Sequence, residues 1–258
     1  MSYKFEVESG KTVKFPVKGK YCDRDIEVTA TGGTEDLDAV LTEQEELIAE
    51  LQDILVKKAA GDNDEADYTF LEYIESHGVE YIDTKLTPYH NTGFDIDFIS
   101  YNDISYTGGE YGAVIGSRAS SGSNEFQLTT YAYPAGSTQG TLRYGKKSYD
   151  PKLKKGVRTY ATMRNRVFNN DQDGGFTVTS EIFSAPYDII IFALNNGGTV
   201  TQHGKVRLYA LKLYSDTLMV RDFRPAKRKA DGEIGLYDKV TRTFFTNAGT
   251  GAFTGVSE

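Results

Sequence analysis

Seven tyrosines, at positions 101, 106, 111, 131, 133, 144 and 149, fall within one stretch interleaved with Gly, Ser, Thr and Asn. That composition suits a binding surface: Tyr supplies flat contact area with a polar tip at low entropic cost, and Ser and Asn adapt their hydrogen bonds. A pyranose presents a C–H face to a ring and hydroxyls to polar neighbours, so a sugar fits this chemistry. Tyr106, Tyr111, Arg118, Tyr131 and Tyr133 are the candidate ligand contacts. The alternative for any of these rings is packing on a strand or at a contact between subunits.

Other constellations are weaker. Asp95 and Asp97 occupy same-face positions of a strand, ~7 Å apart, a spacing that permits the carboxylate pair of a glycoside hydrolase. Their alternation with Phe94, Ile96 and Phe98 is equally what a solvent-facing strand produces, so no catalytic residue is assigned and no enzyme is expected. The segment 169–175, NNDQDGG, offers oxygens that a hard cation would take. It lacks the terminal Glu of an EF-hand and lies between strand-like runs. A hairpin turn is expected there, with no metal and no cofactor.

Gly140 to Lys147 nearly spells a phosphate loop, but Lys147 stands at the hydroxyl position and Pro151 follows where a helix must run. No G-x-S-x-G occurs, and His77, His90 and His203 show no paired ligand spacing. The cations Arg221, Arg224, Lys227, Arg228 and Lys229 are expected on a solvated loop, with Arg221 and Asp222 as a local pair. Cys22 is alone, which removes an internal disulfide.

These residues need elements to position them. In residues 3–30, Tyr3, Phe5, Val7, Val13, Phe15, Val17, Ile26 and Val28 alternate as strands do, with turns at Ser9-Gly10 and Gly19-Lys20. Residues 1–33 are expected to form a small β attachment module. Residues 34–58 follow as a coiled coil opened by the cap Thr34. Leu37, Leu41, Gln44, Ile48, Leu51 and Leu55 recur at steps of four and three, and Val40, Leu47 and Ile54 form a second row beside them. An apolar face this wide predicts three helices, one per chain, along roughly 30 Å of rod. A helix packed on its own domain is the other option for the same pattern. Residues 59–67, AAGDNDEAD, are expected as a linker. From 68 to 258, Gly, Asn, Asp and Ser clusters recur every ten to fifteen residues without helical periodicity. Ile189 to Phe192 and Val206 to Leu213 read as strands there, and a two-sheet sandwich of jelly-roll or concanavalin type is the natural solution at this length.

The net charge of −8 is unevenly spread: residues 1–33 carry +1, residues 34–67 carry −10 and residues 68–258 carry +1. The acidity is a solvated helix face and spacer, and neither outer segment has the basic excess of a nucleic-acid surface. No apolar run approaches ~18 residues and the start lacks an apolar leader, so neither membrane insertion nor a signal peptide is expected.

Residues 71–88 (LEYIESHGVEYIDTKLTP), 113–128 (AVIGSRASSGSNEFQL), 143–149 (RYGKKSY) and 205–253 (beginning KVRLYALKLYSD and ending TNAGTGAF) carry a resemblance. They are similar to the laminin-G/concanavalin-like lectin domain attached to structural proteins of phages and prophages of Gram-positive gut bacteria. The segment 10–30, GKTVKFPVKGKYCDRDIEVTA, resembles short modules that open phage virion proteins. The resemblance implies a mainly β chain with a β-sandwich that binds a glycan or host surface. The coiled coil adds three-fold assembly, so a trimeric fibre or adhesin, made in the host bacterial cytoplasm and carried on the virion, is expected. Capsid or tail proteins would hold it through residues 1–33, and a cell-surface or mucosal glycan would be its ligand. A decoration protein that binds no glycan, and a glycan depolymerase, are the alternatives.

Overall fold

The alternation of Phe94, Ile96 and Phe98 with Asp95 and Asp97 becomes a strand in which those three apolar residues are at most 1 % exposed while both aspartates stay half-buried. The same period of two shapes most of the chain, which is mainly β. The computed structural model describes residues 12–19, 22–29, 63–102, 112–120, 123–132, 138–172, 174–179 and 182–257. The predicted coiled coil, with Leu37, Val40, Leu41, Gln44, Leu47, Ile48, Leu51, Ile54 and Leu55, lies outside them.

The chain divides into two compact units, residues 1–63 and 64–258. In the first, β1 (Thr12–Gly19) and β2 (Cys22–Thr29) pair as an antiparallel hairpin in which Val13 faces Val28 and Phe15 faces Ile26.

The helical turn α1 (Asn63–Ala66) precedes the second unit's strands, which in chain order are β3 (Tyr68–His77), β4 (Ile82–Asp83), β5 (Thr92–Ser100), β6 (Gly112–Ser120), β7 (Ser123–Ala132), β8 (Thr138–Gly145), β9 (Lys147–Tyr149) and β10 (Arg158–Arg164). They continue as β11 (Val167–Asn170), β12 (Gly174–Thr177), β13 (Ile190–Ile191), β14 (Leu194–Asn196), β15 (Thr199–Thr201), β16 (Lys205–Ser215), β17 (Leu218–Arg228), β18 (Ile234–Asp238), β19 (Thr243–Phe245) and β20 (Thr254–Ser257). One sheet of ten strands runs β12-β11-β10-β5-β16-β3-β17-β18-β19, with β20 on β3. The other, of eight, runs β15-β14-β6-β7-β8-β9, with β13 on β6 and β4 on β13. The two pack face to face as a β-sandwich. Phe94 of the first meets Phe126 of the second edge to face at 6.0 Å, and Ser100 and Thr130 hydroxyls join across the gap at 2.6 Å.

Three local outcomes depart from the sequence expectation. The run Ile189 to Phe192 is not a continuous strand: β13 ends at Ile191 because Phe192 takes a left-handed φ of 69°. The chain reverses there, so β13 pairs antiparallel with β6 and β14 parallel with it. The basic run from Arg221 to Arg228 lies within β17 rather than on a loop, with only Lys229 in the turn that follows, and Arg221 faces Asp238 at 3.6 Å instead of pairing with Asp222. In an extended strand, adjacent residues point to opposite faces, so neighbours in sequence cannot share a salt bridge readily. Finally, the end of the acidic linker is tied down: Lys229 donates from its backbone N to Asp67 O at 2.9 Å and from Nζ to Ala66 O at 2.5 Å.

The ten-stranded sheet is organised by β3. The hairpin of β16 and β17 is paired from Leu211 to Phe223, then its open ends splay and β3 enters between them. Among the described residues no helix is long and apolar enough to cross a membrane.

Candidate polar face and the tyrosine ladder

The β6–β7–β8 ladder sets which side chains share a face. Register pairs Arg118 with Glu125 and Gly116 with Gln127, and pairs Gln127 in turn with Arg143. Phe126, Leu128, Leu142 and Tyr144 point into the sandwich, so by alternation Glu125, Gln127, Thr129, Thr141 and Arg143 occupy the other face. This outer face is polar yet buried, with Glu125, Gln127, Thr129 and Thr141 all at most 5 % exposed.

Glu125 is its centre. Arg118 Nη1 lies 3.4 Å and Arg143 Nη1 3.3 Å from Glu125 Oε1, and Arg118 Nε donates to Asn196 Oδ1 at 2.9 Å. Two guanidiniums thus converge on one carboxylate, which fixes all three groups and leaves further N–H donors for other acceptors. Beside them the Gln127 Oε1 is buried and accepts from no donor. A buried acceptor left so loses ~1–3 kcal/mol. The close approach needs Gly116, because a Cβ there would sit 2.9 Å from Gln127 Cβ and 2.7 Å from Leu194 Cδ1.

Of the five candidate contacts, Arg118 lies on this face. Tyr131 belongs to β7 opposite Gln139, six residues from Glu125, or roughly 20 Å along the strand, so the fold separates it from Arg118. Tyr106, Tyr111 and Tyr133 lie outside the described residues. Glu125, Gln127, Arg143 and Asn196 were missed. The alternation Glu125-Phe126-Gln127-Leu128-Thr129 could have placed the first two on one face. The register that adds Arg143 and Asn196 has no local signature.

Tyr144 is buried in the core, and Tyr149 stacks on Phe176 at 5.0 Å. Both take the packing role.

The outer face of the ten-stranded sheet carries the second polar array. Arg158 holds Asp97 with two hydrogen bonds of 2.9 Å, and its guanidinium lies 3.6 Å above the Tyr209 ring. Arg164 holds Asp95 in the same two-pronged way and lies 3.0 Å above Tyr214, while Arg207 binds Glu75 at 2.8 Å and covers Tyr73 at 4.0 Å. The carboxylate hydrogen bonds raise Arg158 and Arg164 above the usual arginine range. Burial, together with the Asp95 charge, pushes Tyr214 up to about 12. Each cation is therefore sandwiched between an acid and a ring, and the rings of Tyr73, Tyr209 and Tyr214 each have a face covered.

The segment 169–175, expected as a hairpin turn, joins β11 to β12, with Asn170 opposite Gly174. The near-phosphate-loop joins β8 to β9.

No protein-family model and no curated protein matches the chain. Among solved structures, similar ones include the CBM40 of the Ruminococcus gnavus IT-sialidase bound to alpha2,3 sialyllactose, at 15 % identity and a TM-score of 0.40. The match covers 57 % of this chain and 91 % of that one. The same CBM40 in a second structure matches at 14 % identity over the same shares, with a TM-score of 0.40. A heptameric SAP-like pentraxin from Limulus polyphemus matches at 13 % identity and a TM-score of 0.39, over 58 % of this chain and 76 % of that one. At this distance none of them assigns a ligand to this chain.

Proposed function

We propose that this chain is a subunit of a trimeric phage virion fibre whose sandwich binds a glycan of the host surface or of mucosa. Residues 1–33 attach to capsid or tail proteins, residues 34–58 trimerise, and residues 68–258 form a lectin-like sandwich of concanavalin or laminin-G type. The chain is made in the host bacterium and carried on the particle.

The observation that supports sugar binding is the Arg118–Glu125–Arg143 cluster, in which Arg143 keeps a quarter of its side chain exposed to solvent. A sugar hydroxyl accepts from the guanidinium donors that the carboxylate leaves free. Trimerisation would matter energetically. Single sugar sites near millimolar affinity correspond to ~4 kcal/mol, and linking three raises apparent affinity by ~10²–10⁴.

A second reading, a capsid decoration or spacer that binds no glycan, is favoured by the arginine-covered rings of the ten-stranded sheet, a face stiffened from within. A glycan array probed with the full chain and with Arg118→Ala separates the two. Binding by the native chain, at least tenfold weaker in the variant, is expected. Silence across the array would leave decoration as the function.

The proposal includes no catalytic step. The carboxylates a depolymerase would need, Asp95 and Asp97, are each held by a two-pronged arginine.

A further inference from the structure

At one end of the sandwich three turns meet around a cavity of about 240 Å³ lined by Asn91, Thr92, Tyr144, Asn165, Arg166 and Asp216. Asn91 and Thr92 lead into β5, Asn165 and Arg166 join β10 to β11, and Asp216 lies between β16 and β17. Tyr144 comes from the opposite sheet. Its buried hydroxyl donates between the carbonyls of His90, at 2.7 Å, and Thr92, at 3.0 Å, which ties that wall to the loop.

The Asp216 carboxylate is set in place. Tyr89 Oη donates to Oδ2 at 2.6 Å and Asn91 Nδ2 to Oδ1 at 2.5 Å, while the Asp216 N donates to Asn91 O at 3.1 Å. The hydrogen bond to this carboxylate raises the Tyr89 hydroxyl above the usual tyrosine range. Arg166 is the contrasting group. It lines the same cavity, but among the described residues it forms no ion pair with a carboxylate, Asp216 included. Its position is also unusual for an arginine. Arg164 and Val167 close a two-residue hairpin in which Asn165 and Arg166 have φ of 49° and 62°. Asn followed by Gly is the preferred pair for such a turn, so a long cationic side chain here replaces the residue that the backbone favours.

A cation and a carboxylate thus face one small cavity without meeting. A lone anion entering it is repelled by Asp216 and a lone cation by Arg166. A pair of adjacent hydroxyls suits both, because one can donate to the carboxylate while the other accepts from the guanidinium. The volume lies below the ~300–1,000 Å³ of sites for drug-sized ligands, and matches a single sugar ring. We propose that this corner is a binding site for one neutral monosaccharide unit, with vicinal hydroxyls bridging Asp216 and Arg166. It is a site apart from the Arg118 face and stands whether or not that face binds.

Ligand-observed saturation-transfer NMR on the full chain, with methyl glycosides of glucose, galactose, mannose, fucose and N-acetylglucosamine, tests it. Inorganic phosphate and glycine serve as anionic and zwitterionic probes. At least one neutral glycoside should bind, and Asp216→Asn and Arg166→Gly should each weaken it at least tenfold. Arg166→Gly should do so while raising the thermal midpoint, since glycine relieves the left-handed turn, which separates lost binding from lost folding. Arg118→Ala should leave this binding within twofold. The proposal is overturned if no neutral glycoside binds, if both corner variants bind as the native chain does, or if phosphate or glycine competes more strongly than every sugar.

Discussion

Arg164 holds Asp95 by hydrogen bonds of 2.8 and 2.6 Å while its guanidinium carbon lies 3.0 Å from the centre of the Tyr214 ring. A carboxylate so engaged serves the sheet surface. Asp95→Asn and Asp97→Asn should each lower stability by only ~0.5–1 kcal/mol, because both pairs are partly exposed to solvent. Thermal melts check this. Reducing-end assays on polysaccharide should be flat for the native chain and both variants; new reducing ends that vanish in either variant would establish a depolymerase.

Phe94 joins the two sheets through its ring contact with Phe126 at 6.0 Å, and also meets Phe168 of its own sheet at 6.4 Å. Phe94→Ala leaves a cavity that neither sheet can close alone, so a loss of ~3–5 kcal/mol is expected in denaturant unfolding. A loss under ~1 kcal/mol would mean the sheets do not depend on this contact.

Stability should decline as pH falls. Burial lowers His203 from its ordinary 6.5 despite the nearby Glu80 charge, and its Nδ1 has no partner. Glu80 is lowered from 4.5: burial alone would raise it, but the hydrogen bond from His77 N, 2.7 Å long, and other backbone bonds prevail. Both groups are depressed in the folded state, so their contributions are complete above about pH 6.5. They are lost in turn as acid passes below 6.5 for His203 and below 4.5 for Glu80. Glu80→Gln should flatten the lower part of the profile, and His203→Gln the upper part.

The fibre proposal predicts a trimer by size-exclusion chromatography with light scattering, and Ile48→Lys should convert it to monomer. The reason is that a charge buried at a shared helical seam has no partner there. A monomeric native chain would remove the multivalent part of the reading.

How much was legible in the sequence depended on range. The period-two run Phe94 to Phe98 declared both the strand and its inward side, because that pattern is local. Val206 to Leu213 declared a strand but not the register shift after Leu208 that moves its buried residues from 206 and 208 to 211 and 213. The reversal at Phe192 was hidden, since an apolar run looks the same whether it stays extended or turns left-handed. Arg118 could be singled out by its setting among Tyr, Ser and Asn, but its partner Glu125 and the companion Arg143 come from strand register, which single residues do not spell. Likewise Asp95 and Asp97 resembled a catalytic pair until β10 supplied their arginines. The corner cavity was the least visible, as its walls are three separate turns brought together only by the finished sheets.

The strand β3 is made early, yet one of its contacts, Arg207 with Glu75, spans 132 residues, and β20 adds a further ladder later still. At about 5–20 residues per second, ribosomal synthesis leaves both rims of that strand bare for roughly seven to thirty seconds. Nascent copies on neighbouring ribosomes then expose the same unsatisfied amides side by side, so yield in the cell should respond to chaperone supply and translation speed more than to any surface charge.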